Sequence, residues 1–202
     1  MRKAIPFLIA LSLGVCSSVS SADWTVKAGL TLSHLQPSLK GLWGDGFALG
    51  VSHPMTLIPG ISLQPEIFFV RRGDGRAFPV DVPGMKSGID LDYLEIPVLL
   101  RWDLAPRSKI RAALFVGGYG ALNVGARARS EFEGEVVEEN LRENVRRTDF
   151  GVTAGFEVAR MLARRRLTLE GRAILGMRNV NRYSAMEDWR TFGFSFLIGY
   201  GF

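Results

Sequence analysis

Seven charged residues occupy one kind of position. Glu66, Glu95, Arg101, Arg111, Glu157, Glu170 and Arg172 each lie in a stretch that alternates between apolar and small or polar residues, on the parity opposite the apolar one. Ionised groups gathered on one inner face must pair or hydrogen-bond, since an isolated buried charge is costly. Both signs are present, so a structural network of ion pairs is the first chemistry they can perform; a path for protons or a small solute is the second. Catalytic groupings are scarce by comparison. The two histidines, His34 and His53, each follow the last residue of one of two successive alternating stretches, 24–33 and 43–52, which places them at opposite ends of the fold when the second stretch runs back along the first. That separation rules out a shared metal site or a Ser-His pair that uses both. Ser33-His34 at the outer rim is the place to look for lipid-modifying chemistry, but an interfacial histidine beside a loop is the better account of it, since little else supports a catalytic triad. Neither an enzyme nor a metal or cofactor site is expected.

Strands must position these groups. Residues 191–202 alternate most strictly, with Phe192, Phe194, Phe196, Ile198, Tyr200 and Phe202 on one side and Thr191, Gly193, Ser195, Leu197, Gly199 and Gly201 on the other. Residues 24–33, 43–52, 61–71, 93–103, 110–127, 149–158 and 167–178 repeat the pattern, which gives eight strands. On the second of these the inner side is nearly all small (Gly44, Gly46, Ala48, Gly50, Ser52), leaving room for longer side chains from facing strands. Pro65 and Pro97 each delete a ladder hydrogen bond, and bulges are expected near both. The connections alternate in length: 54–60, 105–109 and 160–166 are short, whereas 73–88, 130–145 and 179–190 are long.

The chain opens with Arg2 and Lys3, an apolar run over 4–15 and Ser20-Ser21-Ala22, the form of a secretory signal peptide over residues 1–22. Leu13-Gly14-Val15-Cys16 loosely resembles a lipobox, but Val15 is a poor residue before a lipidated cysteine. A cut after Ala22 leaves a single domain over 23–202 without cysteine, hence without disulfide or thiol chemistry. It also removes two of the 25 basic residues and none of the 20 acids, for a mature charge of 23 − 20 = +3. That excess is small and spread along the chain, which argues against nucleic-acid binding. No later apolar run reaches the length of a membrane-spanning helix, so a membrane protein built from these segments must be a closed barrel. Short turns then face the periplasm with both termini, and long loops face outward. The rival fold is a soluble eight-stranded barrel of lipocalin type, which would bury the apolar parity inside.

Ile61-Ser62-Leu63-Gln64-Pro65-Glu66 and, after a loop, Leu91-Asp92-Tyr93-Leu94-Glu95-Ile96-Pro97 resemble the paired segments of the PorT-type outer-membrane β-barrel family. The likeness in order and spacing extends from about Trp24 to Phe202. It implies a small antiparallel transmembrane barrel of the bacterial outer membrane and brings no catalytic residues with it. Ile198, Tyr200 and the terminal Phe202 resemble the C-terminal signal of such barrels, which implies the outer-membrane assembly machinery as a partner.

Where strands meet the outer loops, Arg71, Arg72, Arg127, Arg129, Arg146, Arg147 and Arg178, with Arg76, Arg182 and Arg190 beside them, are candidates to meet the phosphates of lipopolysaccharide. A girdle of snorkelling side chains explains the same residues without a specific lipid site. Loop 130–145 carries six acids (Glu131, Glu133, Glu135, Glu138, Glu139, Glu143) against one base, Arg142. The expected function is that of a small non-enzymatic outer-membrane barrel, its lumen plugged by side chains, whose loops meet a protein partner or a basic ligand. An outer-leaflet lipid-modifying enzyme and a narrow transport channel are the alternatives.

Overall fold

The computed structural model describes residues 24–36, 43–74, 86–104, 110–132, 135–162, 165–181 and 189–202. The expected signal peptide with Cys16, the turn at 105–109, and Arg76 and Arg182 lie outside these residues. Alternating residues form ten strands: β1 (Thr25–Gln36), β2 (Gly44–Ser52), β3 (Met55–Ile58), β4 (Ile61–Asp74), β5 (Lys86–Asp103), β6 (Ile110–Phe132), β7 (Glu135–Asn140), β8 (Thr148–Leu162), β9 (Arg165–Gly176) and β10 (Arg190–Gly201). Eight of them close a ring in the order β1-β2-β4-β5-β6-β8-β9-β10, every pair antiparallel, with β10 returning to β1. Closure pairs the backbone on both sides of each ring strand, which is what hydrocarbon demands.

The other two strands are extensions at opposite ends. β3 continues along β4 after β2 stops at His53-Pro54, and Pro59 with Gly60, at φ 85°, turns the chain into β4. Only glycine takes that φ without strain, and proline is pre-set for the position before it. β7 pairs with the upper part of β6. The start of β1 and the end of β10 share an end with the turn into β4, since Thr25 pairs with both Gly201 and Ser52; by the outer-membrane rule that end is periplasmic.

Two local expectations need correction. At Pro65 and Pro97 the register holds, from Pro65↔Val98 to Phe68↔Glu95, and only the rungs between are missing. Bulges lie elsewhere: the β3–β4 register shifts between Thr56 and Ile58, and Val124 is an extra residue on β6 opposite Asp92 and Tyr93. A one-residue insertion turns every later side chain to the other face. Hence Ala126 and Ala128 point inward, while Arg127, four residues on from inward Asn123, is exposed. The second correction concerns the long loops: strands take the two ends of 73–88 and much of 130–145. β4 runs to Asp74, β5 starts at Lys86, and β6 and β7 leave only 133–134 between them. Polar composition reads as loop, but a hairpin standing in water can keep pairing past the membrane as long as its backbone groups find partners.

The two faces of the wall separate cleanly. Leu30, Leu169, Phe196 and Ile198 are 57–68% exposed, with some three dozen other large apolar side chains around the outside. Thr25, Lys27, Ser52, Gln64, Glu66, Glu157 and Thr168 are at most 2% exposed on the inside. This is the reverse of the lipocalin arrangement. The small inner residues make room as expected: a Cβ on Gly50 would lie 2.5 Å from the Phe68 ring, one on Gly155 2.6 Å from Phe115, and one on Gly151 2.8 Å from Tyr119. Aromatic rings thus pack against bare backbone inside the lumen. Above them Leu35, Ile89, Leu91, Leu141, Val145 and Val180 form an apolar cap with Trp189 packed against it. The cap is held by a Val145↔Asn181 bridge and by backbone bonds from Arg146 N to Val180 O (2.8 Å) and from Val180 N to Trp189 O (2.8 Å).

Candidate functional site

The lumen is where the charged parity converges. Glu157 on β8 and Glu170 on β9 stand directly opposite each other in register, a like-charge pair that is unfavourable by itself. Lys27, from β1, reaches between them. Its Nζ donates to Glu170 Oε2 at 2.5 Å and to Glu66 Oε1 at 2.9 Å, and lies 3.6 Å from Glu157 Oε2. Arg172 closes the cage, donating from Nε to Glu170 Oε1 at 2.5 Å and from Nη1 to Glu66 Oε2 at 2.9 Å. Gln64 Nε2 adds a further bond to Glu66 Oε1 at 2.9 Å. Toward the periplasm, Arg101 Nη1 donates to Glu157 Oε1 at 2.6 Å while its Nε and Nη2 hold Asp103 Oδ1 at 3.1 and 3.0 Å.

A second, smaller cluster lies above. The Arg72 guanidinium donates from Nη2 to Glu95 Oε2, and its Nη1 lies 4.0 Å from Asp149 Oδ2. Tyr119 Oη donates to the same Asp149 oxygen at 3.3 Å. Aromatic faces divide the two clusters: Arg172 packs over Phe68 and Phe115 at 5.1 and 5.5 Å, and Arg72 over Tyr93 and Tyr119 at 5.6 and 5.2 Å. Cations thus gain ring contacts on the sides that carboxylates do not cover.

Of the seven inner charges read from the sequence, Glu66, Glu95, Arg101, Glu157, Glu170 and Arg172 join these clusters. Arg111 does not. It is half-buried near the start of β6, and its Nε makes no hydrogen bond among the described residues. A long side chain at the barrel mouth can carry its charge toward water instead. Partners in the lower cluster cross the lumen (β1 to β4, β8 and β9, β9 to β4, β5 to β8), whereas Arg72 and Glu95 pair between neighbouring β4 and β5. Lys27 was the main omission, although the alternation over 24–33 already places it on the inner parity.

The rim arginines divide three ways. Arg72 is a correction: it is 3% exposed and belongs to the upper lumen cluster, because its parity on β4 is that of Glu66 and Phe68. Arg71, Arg146 and Arg178 are engaged by the protein itself. Arg71 grips Asp92 with both Nε (2.7 Å) and Nη2 (3.0 Å), Arg146 Nε donates to Asn181 O (3.0 Å), and Arg178 Nη1 donates to Thr148 Oγ1 (2.5 Å). Arg127, Arg129 and Arg147 are exposed.

Ser33 and His34 point to opposite faces. The Ser33 hydroxyl donates to Gly73 O (2.9 Å) and accepts from Gly73 N (3.1 Å), while His34 lies edge-on to Trp43 with ring centres 4.8 Å apart. His53 stacks on Trp24 at the other end. The histidines are thus interfacial aromatics of the kind that anchor barrels at membrane boundaries. Ile198, Tyr200 and Phe202 are all exposed on the outer face, and Phe202 N donates to Trp24 O at 3.0 Å.

A closed ring of eight strands, apolar outside and ion-paired inside, defines a small transmembrane barrel. The family model described as "Outer membrane protein beta-barrel domain" matches residues 17–182, and the chain belongs to that family. It is an outer-membrane protein. In fold it is similar to the outer membrane protein OprG from Pseudomonas aeruginosa, with 12% identity, a TM-score of 0.53, and 89% of this chain and 94% of that one covered. Neisserial surface protein A (NspA) is 16% identical, with a TM-score of 0.48 over 87% of this chain and 95% of that one. No protein of curated function matches the chain.

Proposed function

We propose that the protein is a non-enzymatic surface barrel whose lumen is closed by its own side chains and whose outer hairpin meets a basic partner. The observation that carries this reading is the pairing of a filled interior with an acidic projection: β5, β6 and β7 continue beyond the rim, and Glu138 and Glu139 are exposed on β7. The interior carboxylates Glu66, Glu95, Glu157 and Glu170 are already held by Lys27, Arg72, Arg101 and Arg172, which favours a structural role over work on a substrate. Titration of labelled polylysine against the barrel in nanodiscs tests the surface role. Binding that weakens with salt and is lost in Glu138→Gln/Glu139→Gln supports it, and identical binding by that variant contradicts it.

Exposed Arg127, Arg129 and Arg147 favour contact with lipopolysaccharide phosphates as the barrel's lipid environment. The motifs at 61–66 and 91–97 support placement within the PorT-type branch of the family. Residues 1–22 act as the export signal in this reading, and the exposed Ile198, Tyr200 and Phe202 act as the mark read by the assembly machinery. Comparison of lipid A from cells with and without the protein separates this reading from a lipid-modifying enzyme. An acyl change restored by the wild type but not by His34→Ala would replace it.

A further inference from the structure

β7 is paired along one edge only. Leu141 N donates to Ala126 O at 3.0 Å, and the same register runs on through Ala128↔Glu139 and Ser130↔Val137. In an antiparallel ladder the residues that bond to the partner strand alternate with those that face away. Val137 and Glu139 therefore bond to β6, and Val136, Glu138 and Asn140 direct their N–H and C=O groups to the open side. Among the described residues no strand takes those groups. Two of the usual protections are absent, since β7 has no proline and its register with β6 is unbroken, and the charges it carries are all acidic.

We infer that the open edge of β7 is a strand-addition site for an extended basic polypeptide segment, one that bonds to the backbone of Val136, Glu138 and Asn140 and sets Lys or Arg against Glu138 and Glu139. This deepens the surface reading above and rests on it. Charge selects the occupant. Glu138 faces Arg129 across the β6–β7 pair, but Glu139 faces Ala128 and receives no cation from that position. Val136 and Val137, 46% and 64% exposed, supply apolar contact on the two faces of the added strand. A second copy of the chain docking by the same edge would bring Glu138 and Glu139 against their own counterparts, and like charges facing each other across a ladder are destabilising. A basic strand meets no such penalty, and backbone bonds with alternating side-chain contacts are how strand addition recognises a peptide.

The test uses the full chain refolded in nanodiscs and three peptides: a Lys-Lys-Val-Val repeat (called Lys-Val), which places one Lys and one Val on each face, the same peptide N-methylated at every second residue, and a Glu-Glu-Val-Val repeat (called Glu-Val). The Lys-Val peptide should bind and slow hydrogen exchange at the amides of Val136, Glu138 and Asn140. The N-methylated peptide, with the same charge, should bind about ten-fold or more weakly, because its edge bonds are blocked. Val136→Pro should weaken Lys-Val binding similarly; it removes an outward N–H and leaves the β6–β7 bonds in place. Equal binding by the N-methylated peptide, without protection of those amides, overturns strand addition while leaving the acidic-surface reading intact. No preference for Lys-Val over Glu-Val overturns both. Concentration-dependent pairing of barrels that protects the same amides assigns the edge to a second copy instead.

Discussion

The inside and the outside of the barrel wall are built from the same strands under opposite rules. Outward side chains are apolar and in contact with solvent lipid, so each is nearly independent of its neighbours. Inward side chains such as Lys27, Glu66, Glu157, Glu170 and Arg172 are buried and held by one another across the lumen. Specificity on the outer face is therefore spread over many interchangeable residues, whereas on the inner face it is concentrated in a few that cannot change singly. That contrast predicts how differently the two faces respond to substitution.

The largest effect is expected at the terminus, where the outer face is argued to be read rather than merely dissolved. Deleting Phe202 should leave the chain unassembled in the periplasm, degraded or aggregated, in a fractionation of cell envelopes; normal surface levels would refute the signal. Next comes the inner cage. Arg172→Ala strands Glu66 and Glu170 with Lys27 alone, and where the site is dry such a loss costs about 3–5 kcal/mol. A urea titration in detergent should show the drop, and an unchanged midpoint would mean that water reaches the cage. A charge introduced on the lipid face should cost slightly less. Val116→Arg, at the middle of the stretch of β6 that pairs with β8 and exposed to lipid, is expected to lose about 2–4 kcal/mol in refolding into bilayers. Tolerance of it would argue against the assigned depth. Smallest is the exposed rim, where Arg147→Ala should change stability by no more than about 0.5 kcal/mol.

These differences also explain what could be read in the sequence. Period-two alternation marked the faces of all eight ring strands, because one-sided burial leaves that trace in any strand of sufficient length. It placed Glu66, Glu95, Arg101, Glu157, Glu170 and Arg172 inside without revealing their partners. Cross-lumen pairs such as Lys27 with Glu170 join residues far apart in the chain, and no local pattern encodes which two inner side chains meet. Lys27 itself was passed over as one polar residue among the small ones on the first strand. The Val124 bulge was hidden for a different reason: Leu122 and Val124 continue the outer parity, and only the pairing with β5 shows the extra residue. Arg72 looked like a rim residue by its distance along the chain; its parity, which agreed with Glu66, was the better guide.

Planar-bilayer recording of the purified wild-type barrel tests the central claim, a lumen closed by paired charges, stacked rings and an apolar cap. At eight strands the interior has width for side chains alone, so the recordings should show no stable open level. A steady, solute-sized conductance in the wild type would contradict the closed lumen and make the protein a channel.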